Sequence, residues 1–380
     1  MSGLDFSYFQ NLGEHFLLEM TQRAEAGAKV AGIYCIFAPL ELIRAAGAIP
    51  VGLCGKKQEP IAAAEKELPT RLCPLIKSSY GYAVTGACPF FAASDFIVGE
   101  TTCDGKKKMF EYMQRLKPVH LMQLPYRPDG QGAREFWLEQ IKEFGRFVSR
   151  QTGKEAAPEE LERQIVIHNR IRQAYLDLSR LMARPAPPLT GLQMMTVTES
   201  KNLYFDAETH LAKLAAFLEE AGQAAPAVAE NAPRILVTGC PVGKGSEKVI
   251  RLVEELGGVV VVMENCSGIK GFARLVAEGT GDPMRAIADY YLGTPCSCMT
   301  PNDGRLDLVG RLARDYRADG VIDITWLYCH TYNLEAPQIK KLSQDGLALP
   351  YLQLETDYAS GDLGNLQVRL EAFLEMIGQG

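Results

Sequence analysis

The chain has 380 residues, 47% of them apolar and 23% charged, with a mean hydropathy near zero, the make-up of a soluble globular protein. Its net charge of −6 argues against nucleic acid as a main partner, which calls for a concentrated basic face. No apolar run reaches the roughly 20 residues that span a bilayer, and the length exceeds one ordinary core, so two domains are expected.

The opening stretch, MSGLDFSYFQNLGEHFLLEM, lacks a basic n-region and a cleavage site, so it is not read as a signal peptide. Its apolar residues recur at helical spacing and predict a first helix. Residues 32–37 read as a short strand, followed by the helix LELIRAAG with Gly47 past its end. Residues 49–53 are a second strand, and CPLIKSSYGYAV (73–84) is a helix with Pro in its first turn. Strands follow at 96–99 and 119–124, with a helix between them. Alternating elements of this length predict a parallel sheet covered on both faces.

Residues 131–222 change character and carry three long amphipathic helical patterns. From Arg234 the strand–helix rhythm resumes with RILVTG, GVVVVMEN, GVIDITWLYC and PYLQLE as strands. The expected organisation is an N-terminal α/β domain (1–130), a helical insertion and linker (131–232) and a C-terminal α/β domain (233–380). The two sheets would face each other across a cleft between their C-terminal edges.

The cysteines carry the chemical signal. Of ten, six stand where a strand is expected to end: Cys35, Cys54, Cys103, Cys240, Cys266 and Cys329. That edge is where open α/β sheets bind ligands. A cytoplasmic location, which the composition suggests, keeps thiols reduced. Thiols gathered on one functional edge suggest soft ligands for iron and sulfide. Cys103 and Cys73 each open a helix, where backbone N–H groups favour a thiolate. Cys329 mirrors Cys103 in the other domain. These three would hold three irons of a [4Fe–4S] cubane and leave one iron open to substrate. Cys35, Cys240 and Cys266 could complete a second set, with Cys296 of the PCSC segment in first reserve. Cys54 and Cys88 are read as structural.

The rival motifs are weaker. No C-x₂-C pair or finger spacing supports zinc. GCPVGKGSEK (239–248) departs from the phosphate-loop pattern in its glycine spacing and in having Gly245 after the lysine. His168 and His210 are expected on helical faces as surface or core residues. His330 adjoins Cys329 and is a candidate to hydrogen-bond a cluster sulfur or shuttle a proton. Glu41, just after the first strand, is a candidate acid or base.

The segments CIFAPLELIRAAGAIPVGLC, LCPLIKSSYG, ETTCDGKKKMFEYM, MENCSGIK, GTPCSCM and GVIDITWLYCHTYNLEAP resemble the 2-hydroxyacyl-CoA dehydratase family, component D, and within it the double-cubane cluster protein branch. The resemblance covers the chain from about residue 25 onward. It implies two flavodoxin-like domains with an iron–sulfur cluster between them, and matches Cys73, Cys103 and Cys329 to the ligands of a single cubane. In the double-cubane branch six cysteines hold an [8Fe–9S] centre. The resemblance also implies an ATP-hydrolysing activator with its own [4Fe–4S] cluster, a homodimer, and reduction of small molecules such as acetylene. Lys106 to Lys108 could serve its docking. Two alternatives remain: a dehydratase subunit with one [4Fe–4S] cluster acting on a (R)-2-hydroxyacyl-CoA, and a non-catalytic cluster carrier.

Overall fold

The structure is a computed structural model that describes residues 3–53 and 55–378. Cys54 therefore lies outside the described residues. After helix α1 (Ser7–Glu25) comes the first sheet, built from β1 (Val30–Ile33), β2 (Ile49–Gly52), β3 (Phe96–Glu100) and β4 (Val119–Met122). Helices α2 (Leu40–Ala45), α3 (Ile61–Ala64), α4 (Pro74–Thr85), α5 (Pro89–Ala93) and α6 (Asp104–Met113) connect them. The insertion follows as α7 (Ala133–Thr152), α8 (Pro158–Leu181), α9 (Gly191–Glu199) and α10 (Ala207–Gln223). The second sheet comprises β5 (Arg234–Gly239), β6 (Val259–Met263), β7 (Gly320–Trp326) and β8 (Tyr351–Thr356). Around it lie α11 (Lys248–Glu255), α12 (Pro283–Leu292), α13 (Asp303–Asp315), α14 (His330–Lys341) and α15 (Leu363–Gly378).

Both sheets are wholly parallel and share one strand order, β2-β1-β3-β4 and β6-β5-β7-β8. The expected two-sheet α/β architecture with a helical insertion is what the chain adopts. In each sheet the chain starts in the middle and the order reverses there. This makes the crevice beyond β1 and β3, and that beyond β5 and β7, the places where such folds bind ligands. β1, β3, β5, β6 and β7 are buried along their whole length, as strands covered on both faces must be.

Element boundaries differ from the sequence reading in instructive ways. The first strand occupies 30–33 rather than 32–37, because Val30 to Ile33 pair with Ile49 to Gly52 and the chain then leaves the sheet toward the cleft. β4 ends at Met122, and side chains take over from the ladder: Gln123 N donates to Gln140 Oε1 and Leu124 N to Thr101 Oγ1. The structure adds helices absent from the sequence reading: α9, α13 and the short α3 and α5. α9 had a legible start, a capping box between Thr190 and Gln193.

The insertion does not stand apart. α8 packs on α2 of the first half and on α12 of the second, and α7 packs on β4 and α12. One hydrophobic core runs through both sheets, joining Val51 and Ile97 to Ile235 and Trp326. The chain thus folds around the cleft as one body.

Candidate functional site

Each cysteine reaches the cleft by a local device. Cys73, Cys103 and Cys329 are the residues that cap α4, α6 and α14. The Cys103 sulfur accepts the Lys106 N–H at 3.4 Å, one of the donors a helix start leaves unsatisfied. Cys240 directly follows β5, and its sulfur accepts the Trp326 N–H at 3.4 Å. The turn that swings it inward depends on Gly239, at φ +101°, where a Cβ would sit 2.2 Å from the Ile324 carbonyl oxygen. Only glycine tolerates both.

All nine described cysteines are free, and seven of them divide into two groups. In the first, the Cys73 and Cys240 thiols lie beside Cys329. These two neighbours pull the Cys329 thiol down to about 3, while they themselves are pushed up. Trp326 and Tyr332 share that core. In the second, Cys35, Cys296 and Cys298 share a separate core, with Cys266 close enough to act electrostatically on Cys35 and Cys296. Here the Cys298 hydrogen bond draws Cys296 down to about 6, against burial and with help from Lys270. Cys103 stands between the groups and feels charge at both Cys329 and Cys296. Cys88 caps α5, ahead of β3 and away from this edge, as its structural reading expected.

The second group carries two buried ammonium groups. Lys270 is fully buried and lies 2.8 Å from Glu264 Oε1 as an ion pair, close enough to favour thiolates at Cys266 and Cys296. Lys106 is buried as well and acts on Cys35, Cys103 and Cys296. Beside it Glu100 is wholly buried with neither carboxylate oxygen hydrogen-bonded. Burial pushes its carboxyl up to about 7, against the pull of Lys106. The Glu264 side chain also meets Arg305, which pairs with Glu335 and hydrogen-bonds Thr238. This network under the second sulfur group was not legible in advance. Its one sequence signal is Lys270 four residues after Cys266.

The six nominated cysteines, Cys73, Cys103, Cys329, Cys35, Cys240 and Cys266, do meet at one cleft. Their partnership differs from the expectation: Cys240 joins Cys73 and Cys329, and Cys103 bridges. Glu41 is occupied in another way. Arg172 and Tyr291 both hydrogen-bond to its carboxylate. Burial alone would raise this carboxyl, but the Arg172 guanidinium holds it below the usual range. It is a locked counter-ion, not a free acid or base. His330 is exposed at the first position of α14. Lys106 faces inward, so only Lys107 and Lys108 of the expected docking segment lie at the surface, where they pair with Asp104 and Glu111.

The residues fit an iron–sulfur centre. Free thiols in excess, helix starts aimed at sulfur, two buried ammonium groups and an orphaned buried carboxyl make a setting built for an anionic, thiolate-bound group. Among the described residues no three His, Cys, Asp or Glu side chains surround one point as ligands of a single ion. Thiolates on separate corners of a cluster need no such common centre.

The family described as 2-hydroxyglutaryl-CoA dehydratase, D-component, matches residues 35–377. A putative dehydratase subunit, YjiM, of Escherichia coli is 42% identical over 98% of this chain and 97% of its own. The (R)-phenyllactyl-CoA dehydratase beta subunit of Clostridium sporogenes is 23% identical over 94% of both. A benzoyl-CoA reductase subunit of Thauera aromatica is 20% identical over 94% of this chain and 92% of its own.

Proposed function

Because the chain belongs to the 2-hydroxyglutaryl-CoA dehydratase D-component family, we propose that it is an iron–sulfur reductase component. It holds an [8Fe–9S] double cubane in the cleft, receives low-potential electrons from an ATP-hydrolysing activator and reduces a small unsaturated substrate. The observation that carries this reading is the gathering of eight thiols in one cleft, seven of them in two sulfur groups that each draw cysteines from both halves of the fold. A single cubane bound by three cysteines would leave five of the eight clustered thiols without a role.

Bound there, the cluster would supply stored electrons and an iron site for substrate. Cys73, Cys240 and Cys329 would hold one half, and Cys35, Cys103 and Cys266 the other, with Cys296 and Cys298 adjoining. The N–H groups of Lys106 and Trp326 stabilise charge on sulfur. Trp326 packs edge-on against Tyr358 at 5.0 Å and keeps water from the first half. Lys106 and Lys270 offset thiolate charge in the second. Among the described residues no helix is long and apolar enough to cross a membrane. A homodimer and an activator docking near exposed Tyr328, His330 and Leu334, beside Cys329, complete the proposal.

The second reading is a dehydratase subunit with one [4Fe–4S] cluster on Cys73, Cys103 and Cys329, favoured by the influence of Cys329 on Cys103 and by the dehydratase relatives. Iron and acid-labile sulfide per chain, measured after strictly anaerobic purification, separate the two. About eight irons and about nine sulfides are expected. About four of each would replace the first reading by the second, and values near zero after reconstitution would remove both.

A further inference from the structure

A cavity of about 60 Å³ lies where the first domain, the insertion and the second domain meet. Its wall includes Cys35 after β1, His168 and Arg172 of α8, Lys201, and Tyr291 of α12. Cys35 belongs to the second sulfur group, so the chamber opens on the face of that group. It is smaller than the roughly 150 Å³ cavity that takes up benzene in an engineered protein. A ligand of a few heavy atoms fits, and a nucleotide or a CoA thioester does not.

The chamber's charges are already committed. Arg172 is bound to Glu41 and to Tyr291. Lys201 donates to the Cys266 and Ser267 carbonyl oxygens, each at 2.8 Å. An anion entering here would lose its water without gaining a free cation, which is costly. One polar atom stands unmatched. His168 is 2% exposed, and its Nδ1 lies 2.7 Å from the Gln164 carbonyl oxygen. A carbonyl only accepts, so Nδ1 carries the proton and Nε2 is an acceptor. Nε2 lies at the end of the ring away from the α8 backbone, is buried, and has no hydrogen-bond partner. Burial also pushes the imidazole down to about 4, so it stays neutral and Nε2 stays an acceptor. An unmatched buried acceptor on a cavity wall calls for a donor from a ligand or water.

We propose that this chamber is a binding site for a small uncharged molecule bearing an N–H or O–H donor, held by His168 Nε2 against the Cys35 face of the cleft. As the approach of the substrate this rests on the reductase reading, whereas binding itself does not. Acetamide and acetate are suitable probes, nearly equal in size, one neutral with a donor and one anionic without. They are titrated into the anaerobically purified protein by thermal shift, and its crystals are soaked with each. Acetamide is expected in the chamber with its N–H on Nε2, and acetate is not. His168→Phe keeps a ring of similar size and should weaken acetamide about tenfold or more, the scale of one lost hydrogen bond. Ile171 also lines the chamber, and Ile171→Phe should abolish binding by filling it while leaving the imidazole in place. Acetamide bound equally well by His168→Phe, acetate bound as tightly, or acetamide found elsewhere would overturn the proposal. Acetamide in the chamber of a protein without ATP-driven reduction would leave the site standing and remove the reductase reading. Reduction that persists with the chamber closed by Ile171→Phe would remove the substrate role alone.

Discussion

The two sulfur groups each draw cysteines from both halves of the fold, yet their surroundings differ. The first group gathers Cys73 and Cys240 on Cys329 and packs beside Trp326. The second group has two buried ammonium groups, an orphaned carboxyl and a cavity beside it. Side chains from both halves thus make one group's surroundings mainly apolar and the other's charged. A cation close to a cluster stabilises its reduced, more negative form. On the proposed function, the second half is therefore the easier to reduce and the one that meets substrate.

That contrast can be broken most directly at the thiols. Cys329→Ser removes the central sulfur of the first group and should lower iron to about half or less per chain, whereas Cys296→Ser, at an adjoining thiol, should leave it near eight. Equal losses would mean that Cys296 is a ligand. Next in size is Lys270→Met, which strands part of the charge of Glu264 in a wholly buried site. Breaking such a pair costs about 3–5 kcal/mol, read by denaturant unfolding, and the more negative half-potential should appear in anaerobic redox titration. An unchanged potential would end the argument that the two halves differ electrically.

A smaller effect concerns pH. Burial pushes the Asp323 carboxyl up to about 6, against the pull of Arg305. Its folded value exceeds the unfolded one, so the contribution is fully present below about pH 4 and lost as pH rises through 6. The loss is on the order of 3 kcal/mol. Asp323→Asn should flatten stability between pH 4 and 6, and an unaltered pH profile would contradict the assignment. The smallest expected effect is at Lys108, an exposed partner of Glu111. Lys108→Ala should leave the melting midpoint unchanged and alter at most the salt dependence of activator-driven reduction.

Much of the fold was legible because it is local. Strand runs such as RILVTG and GVVVVMEN, the helix start at Pro74, and Gly47 at a helix end all act within a few residues. The cysteines at strand ends could be found in the same way, since a strand's end and a helix's start are sequence-near events. The grouping of those cysteines could not. Cys240 and Cys329 are neighbours because β5 and β7 pair in one sheet, and Cys73 reaches them from the other half, a meeting that no spacing along the chain encodes. Glu41 looked like a free carboxyl at a helix start, and its partner Arg172 lies in the insertion, 131 residues on. His168 read as a surface or core residue, and only packing revealed its unmatched nitrogen.

By itself, then, the sequence determined the parallel α/β halves, the helical insertion, the family and the edge on which the thiols lie. These follow from short-range periodicity, caps and residue type. Tertiary structure alone decided which sulfurs are neighbours, which ammonium groups are buried beside them, and that a small chamber opens at Cys35. Those depend on burial and on contacts across more than a hundred residues, where the local low dielectric sets the strength of every charge.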